Sequence, residues 1–266
     1  MNKIQNVTIG TDPELFLYDS EKKEVISAVG IIPGSKHEPY KIKELGRGFA
    51  LQTDNVLIEF NVPAVKLEDK NGFINNIQKM KDYITKYVKN VNPNFTLLHK
   101  ASAKLKENQL NSAQAWEFAC DPDFNCYTNL ENQKPVLEDL CLRSAGFHIH
   151  IGYSNPDLKT SLTILKYMDA YLGIPSVLLD TDTKRRDLYG KAGCFRLQKY
   201  GLEYRVLSGY FLNSINTIGF VYDQVIKALD AFDSDKKLPK FNDVIKTIND
   251  SDIELAKTLI VNYNLI

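Results

Sequence analysis

The chain is poor in several residue types on which special-purpose proteins depend. Its four cysteines, Cys120, Cys126, Cys141 and Cys194, are too few for a dense disulfide framework and are not spaced as a zinc ribbon. They read as reduced thiols, as in a cytosolic protein. Neither sign of charge is in excess: Lys plus Arg and Asp plus Glu both number 33. That balance argues against bulk electrostatic binding to nucleic acid or to an anionic membrane. No apolar stretch approaches the roughly 20 residues needed to span a bilayer. The N-terminal MNKIQNVTIGTDPE has no apolar core of signal-peptide length. No internal repeat or low-complexity tract is visible. Apolar residues at 44% and charged residues at 25% of 266 are ordinary for a globular chain of one large or two small domains. The expectation is a cytoplasmic protein with no nucleic-acid or membrane partner.

Histidine is scarce too, with four in all, yet two stand one residue apart in GFHIHIGY, residues 146–153. In a β-strand every second side chain points to the same face. His148 and His150 then share one face, with Phe147, Ile149 and Ile151 on the other.

Three more stretches repeat the pattern. TDPELFL places Asp12 and Glu14 together. NVLIEFN places Glu59 between Leu57 and Asn61, opposite Val56, Ile58 and Phe60. GLEYRVLSG places Glu203 with Arg205, opposite Leu202, Tyr204 and Val206. One such strand means only a sheet with a wet face. Four could line one face with acids, imidazoles and an arginine. Close carboxylates raise each other's pKa unless a cation sits among them, and a divalent metal resolves the repulsion. Oxygen ligands favour Mg²⁺ or Mn²⁺ and imidazole leans toward Zn²⁺, so the metal stays open. Residues 183–205 add Lys184, Arg185, Arg186, Lys191, Arg196 and Lys199 among glycines 190, 193 and 201, suited either to an anion or to a solvated basic loop.

Around these strands the pattern is helical in places. Apolar residues at Phe73, Ile77, Met80, Ile84, Tyr87 and Val88 predict an amphipathic helix over 69–90. Further helices are expected over 157–172, 174–180, 213–232, 241–248 and 252–263. VTIG and ELFLYD read as separate short strands broken at Asp-Pro. Strands early and helices late, without βαβ alternation, favour an α+β fold with a mainly antiparallel sheet. Trp116, Phe118, Phe124 and Tyr127 read as packing residues, and the cysteines as buried small side chains.

Taken in order, GTDPELF, QTDNVLIEFN, FACDPDFNCYT, GFHIHIGY, RRDLYGKAGCFR and GLEYRVLSG resemble the phage-type carboxylate–amine (COOH–NH2) ligases type 2, amidoligases related to glutamine synthetase and glutamate–cysteine ligase. The motifs run from residue 10 to residue 209, and their combination rather than any single one is specific. The resemblance implies a single glutamine-synthetase-like domain over 1–266, with a curved antiparallel sheet and helices from about 213 onward on its convex face. It implies a concave site for ATP and Mg²⁺, with Mn²⁺ as an alternative. Asp12, Glu14, His148 and Glu203 would be metal ligands. His150, Arg186, Lys191 and Arg205 would contact the nucleotide, and Arg205, Arg196 and Glu59 would be catalytic. Asp54, Glu59, Asp121 and Asp123 stand as unranked candidates for the remaining acidic ligands. The implied reaction activates a small-molecule or peptide carboxylate with ATP as an acyl phosphate, which an amine then attacks to give an amide or isopeptide.

Two departures stand out. The first acid is an aspartate where the synthetases have glutamate. The chain is also far shorter than glutamine synthetase and lacks its separate N-terminal domain, so that enzyme's ring assembly is not carried over. Two other readings compete. A metal-dependent hydrolase would need more imidazoles than His37 and His99 can add. A non-catalytic virion-associated protein of the same fold would not need the intact acid, imidazole and arginine pairs.

Overall fold

The computed structural model describes residues 3–116, 122–133 and 139–266. Six strands come first: β1 (Thr8–Asp19), β2 (Glu24–Ile26), β3 (Tyr40–Lys41), β4 (Ala50–Asp54), β5 (Leu57–Asn61) and β6 (Val65–Lys66). Helix α1 (Lys70–Val91) follows, then β7 (Phe95–Leu98), β8 (Ser102–Lys104), β9 (Phe124–Asn125), β10 (Leu130–Glu131), β11 (Leu142–Ser144) and β12 (Phe147–Gly152). Next come α2 (Leu158–Met168), a π-helical turn (Asp169–Gly173), α3 (Ile174–Leu179) and α4 (Lys184–Leu188). The hairpin of β13 (Cys194–Gln198) and β14 (Gly201–Tyr204) precedes α5 (Ile215–Asp233), α6 (Phe241–Asn249) and α7 (Ile253–Tyr263). The expected mix of helices with a large antiparallel sheet is present. Its strand order is β10-β9-β13-β14-β12-β1-β5-β4-β3, with β2, β6 and β7 also paired to β1.

β1 departs from the sequence expectation. The two short runs are one 12-residue strand that continues through Pro13. Proline cannot donate to a ladder and disrupts a central strand. Here it sits where the strand changes partners. Thr8 to Pro13 pair with β12, ending at Pro13 opposite Phe147. Glu14 and Leu15 then pair with β5, and Phe16 to Asp19 with β7. The ladder resumes at once, since Glu14 N–H donates to Gly146 O at 2.8 Å.

The apolar face of the sheet carries Ile9, Leu15, Ile58, Phe147, Ile149, Ile151, Leu202 and Tyr204, all buried. Helix α1 buries Phe73, Ile77, Met80, Ile84 and Val88, the stripe its spacing predicts. Asp69 caps it by accepting Gly72 N–H. The helical cover differs from expectation in its order. The inner layer is α1, packed on β6 and β7, with α2 on β13 and β14. α5 packs on α1 and α2, and α6 and α7 pack on α3. The helices after 213 therefore form largely a second tier, because the α1 and α2 stripes already cover the sheet.

The run Leu158–Leu179, with mean hydropathy 1.2, also corrects the expectation that no segment is long and apolar enough to cross a bilayer. By length and composition it is, but 72% of its window is buried inside the fold. It forms α2, the π turn and α3, a buried core helix.

One carboxyl ties this helix to the sheet. Asp169 is fully buried in the π turn, accepting the Tyr204 hydroxyl at 2.8 Å and the Tyr127 hydroxyl at 2.9 Å. Burial raises it to about 7 from an ordinary 3.8, against the pull of the two hydroxyls. The native chain then keeps a proton that the unfolded chain loses, so stability falls as pH rises from about 4 to about 7. Asp169→Asn cannot titrate. Between urea unfolding at pH 4.5 and at pH 7.5, wild type should lose about 3 kcal/mol relative to this variant. Parallel pH profiles would contradict it.

Candidate functional site

Register decides what the other face of the sheet presents. Antiparallel partners share a face, so Arg196 on β13, Glu203 on β14, His150 on β12 and Gly10 on β1 form one row across four strands. Asp12 stands opposite His148. Glu14 stands opposite Glu59, itself opposite Gln52 on β4. Arg205 continues the β14 alternation, its N–H bonded to Cys194 O. The four polar strand motifs thus meet on one face, at a cavity of about 540 Å³.

Asp12, His148 and Glu203 each offer an atom to a common point, their donors lying within 4.8 Å of one another. His148 Nδ1 is 3.3 Å from Asp12 Oδ1 and 3.7 Å from Glu203 Oε1. Two carboxylates and one imidazole suit a hard or borderline divalent cation such as Mg²⁺ or Mn²⁺. Gly146 makes room for the ring: a Cβ there would lie 2.3 Å from His148 Nε2. The same glycine donates its N–H to Glu14 Oε2.

Charge is dense and partly self-compensated. Arg205 Nη1 bonds Glu203 Oε1 and lies 3.3 Å from His148 Nδ1, while its Nε is 3.9 Å from Asp123 Oδ2. Burial works to raise the Glu203 carboxyl, but Arg205 holds it below the ordinary value. Asp12 is likewise held well below the usual carboxylate range, the attraction of His150 and His148 overcoming burial. Among the described residues Glu59 has no such ion pair. Burial, with Asp12, Asp54 and Glu14 nearby, pushes it well above the ordinary value, although Gln52 donates to its Oε2 at 2.7 Å. Asp54 is raised by burial and by Glu14. Crowded acids that resist ionising are what an added cation would relieve.

Of the residues singled out from sequence, Asp12, Glu14, Glu59, His148, Lys191, Arg196, Glu203 and Arg205 line the cavity, as do Asp54 and Asp123. Asp121 lies outside the described residues, as do Cys120 and Phe118. His150 and Arg186 are not among the lining residues. His150 is held between Asp12 and Tyr200. Arg186 points away, donating to Ser251 Oγ at 3.0 Å.

Of the adjacent pair Arg185 and Arg186, it is Arg185 that lines the cavity. It is 4% exposed, donating to Ser144 Oγ at 3.1 Å and Arg205 O at 3.3 Å. The sequence reads this segment as an anion site or a solvated basic loop, with no helix; residues 184–188 form α4. Neighbours on a helix point about 100° apart, so only the helix decides which arginine faces inward. Lys36, Gln52 and Tyr189 also line the cavity; Gln52 and Tyr189 lie within the quoted motifs QTDNVLIEFN and RRDLYGKAGCFR without being singled out there, and Lys36 lies in a segment with no distinctive spacing. Cys194 lines it as well, donating to Asp123 Oδ2 at 2.8 Å, and burial raises its thiol far from a reactive thiolate. Trp116 is 47% exposed, with the Arg143 guanidinium over its ring, so it is not a core packing residue.

The remaining histidines, His37 and His99, are absent from the cavity wall. No curated protein matches the chain. The family model described as phage phiEco32-like COOH.NH2 ligase-type 2 matches residues 142–229. That segment runs from β11 into α5 and carries His148, Arg185, Arg196, Glu203 and Arg205, while Asp12, Glu14 and Glu59 precede it. The match supports the family resemblance read from the order of the motifs, that of the phage-type COOH–NH2 ligases type 2.

Proposed function

We propose that this protein joins a carboxylate to an amine at the expense of ATP. The observation that carries the reading is the convergence of Asp12, His148 and Glu203 with Arg205 and Arg185 on one cavity, within a chain matched by a carboxylate–amine ligase family.

The chemistry sets the requirements. A carboxylate is a poor electrophile, and its oxygen is a poor leaving group. Transfer of the γ-phosphoryl group of ATP to that oxygen gives an acyl phosphate and ADP. The amine then attacks the acyl carbon and expels phosphate, leaving an amide or isopeptide. Asp12, His148 and Glu203 would hold the divalent cation, with Glu14 beside them. Once bound, that cation supplies neutralisation of charge on the phosphoryl oxygens.

The chain's own residues do the rest. Arg205 and Arg196 stabilise the equatorial phosphoryl charge from one side. In this structure Arg205 neutralises Glu203. With a cation held by Glu203, that guanidinium would be free to face an anion. Among the described residues no carboxylate lies within ion-pair distance of Arg185, which grips the carboxylate or phosphate end of a substrate. Lys191 extends the same positive wall. The amine enters as an ammonium and must lose a proton. Glu59, fixed by Gln52, is the carboxylate placed to take it.

Thermal unfolding with Mg²⁺, with ATP and with both tests the reading. At about a hundredfold over the dissociation constant, the two ligands together should add roughly 2.7 kcal/mol, and neither alone should match that. Glu203→Gln should lose the joint effect while retaining the fold. No response to any combination would overturn the proposal. Gly146→Ala is a second test. Its methyl group collides with His148, so Mn²⁺ affinity measured by spin resonance should fall at least about tenfold with an unchanged circular dichroism spectrum. Phosphate release with panels of acids and amines then identifies the substrates.

A further inference from the structure

His150 faces the site with both nitrogens in polar contact. Its Nε2 lies 3.0 Å from Asp12 Oδ1, close but not aligned as a hydrogen bond, and its Nδ1 is hydrogen-bonded to the Tyr200 hydroxyl. A carboxylate only accepts, so the contact with Asp12 is attractive when Nε2 carries a proton, and a phenol that donates to Nδ1 leaves the proton on that side. In that state the ring orients Asp12 and does not ligate a metal.

Tyr200 reaches this position from the hairpin turn. It sits at the turn of the β13–β14 hairpin, and its ring stacks on His150 with centroids 5.9 Å apart at 22°. In the neighbouring row Gly201 stands opposite Gly152. A Cβ on Gly152 would lie 3.7 Å from Tyr200 Cδ2 and 2.5 Å from Thr8 Oγ1. A Cβ on Gly201 would lie 2.0 Å from Ile151 O. These two side-chain-free positions let β14 and Thr8 approach β12 closely beside the hairpin turn. The hairpin is further pinned by Tyr153 N–H donating to Tyr200 O at 2.9 Å.

We infer that Tyr200 and His150 are positioning residues: they form an outer-sphere relay that fixes the Asp12 carboxylate for the cation held with His148 and Glu203. The relay rests on the metal reading given above, but it assigns His150 a role other than ligand or nucleotide contact, and it brings in Tyr200. Supporting partners of this kind hold a ligand's orientation, and losing one weakens metal affinity by about 10–100-fold.

The experiment is titration of the full chain with Mn²⁺ alone, read by spin resonance of the free ion, for wild type and three variants. Tyr200→Phe keeps the ring on His150 and removes only the hydroxyl. Its dissociation constant should rise about tenfold while the melting temperature without metal stays unchanged, a split that a merely structural role does not produce. His150→Gln keeps an N–H donor near the position of Nε2. It should bind Mn²⁺ within about fivefold of Tyr200→Phe, whereas His148→Gln should lose far more. Wild-type affinity in Tyr200→Phe overturns the inference, as does His150→Gln falling as far as His148→Gln. If wild type binds no Mn²⁺ at all, the metal reading itself falls and takes the relay with it.

Discussion

A pleated strand offers its side chains only two directions, and strands β13, β14, β12, β1, β5 and β4 use one of them for the same purpose. The fixed antiparallel register turns that choice into a site. A slip of one residue on any of these strands would send its acids or imidazoles into the layer of Phe147, Ile151 and Leu202. Burying an unpaired charge there would be far costlier than the energy of any single contact in the site. The apolar face therefore holds the polar face in register. Helices α1 and α2 matter to the chemistry because they make the wrong register expensive.

The same economy of position appears behind the sheet. Tyr204 lies between Glu203 and Arg205 and faces the other way, its hydroxyl tied to Asp169 in the π turn. The strand that presents an acid and a guanidinium to the cavity is thus anchored at the intervening residue to the helical layer. Gly193 N–H bonds the same carboxyl just before Cys194, whose thiol steadies Asp123. Polar groups in the core are used here as fixings for the wall of the site.

Much of this was legible in the sequence, because period-2 alternation is local. His148 with His150, Glu203 with Arg205 and Asp12 with Glu14 each announce a shared face within three residues. The amphipathic stripe of α1 was equally plain. What escaped depends on non-local facts. The continuity of β1 through Pro13 requires a change of partner that no local rule encodes. Choosing Arg185 over Arg186 requires knowing that the segment is helical and how that helix docks. The second polar contact of His150 depends on Tyr200, fifty positions away at the β13–β14 turn. The tiering of the late helices depends on which stripes reach the sheet first.

The switch of partners along β1 also bears on how the molecule comes into being. One strand near the N-terminus delivers Asp12 to β12 and Glu14 to β5, so it borders both halves of the cavity. The pairing of Asp12 with His148 closes a loop of well over a hundred residues, and the entropy of closing it must be met before the contact is formed. Topologies dominated by such distant pairings fold slowly. The hairpin of β13 and β14 can form on its own local terms, whereas the acid pair and the imidazole pair meet only when the two ends of a long chain find each other. Assembly of the site is therefore coupled to completion of the sheet, and chains stalled before that step would have Glu203 beside Arg205 but neither Asp12 beside His148 nor Glu14 beside Gly146.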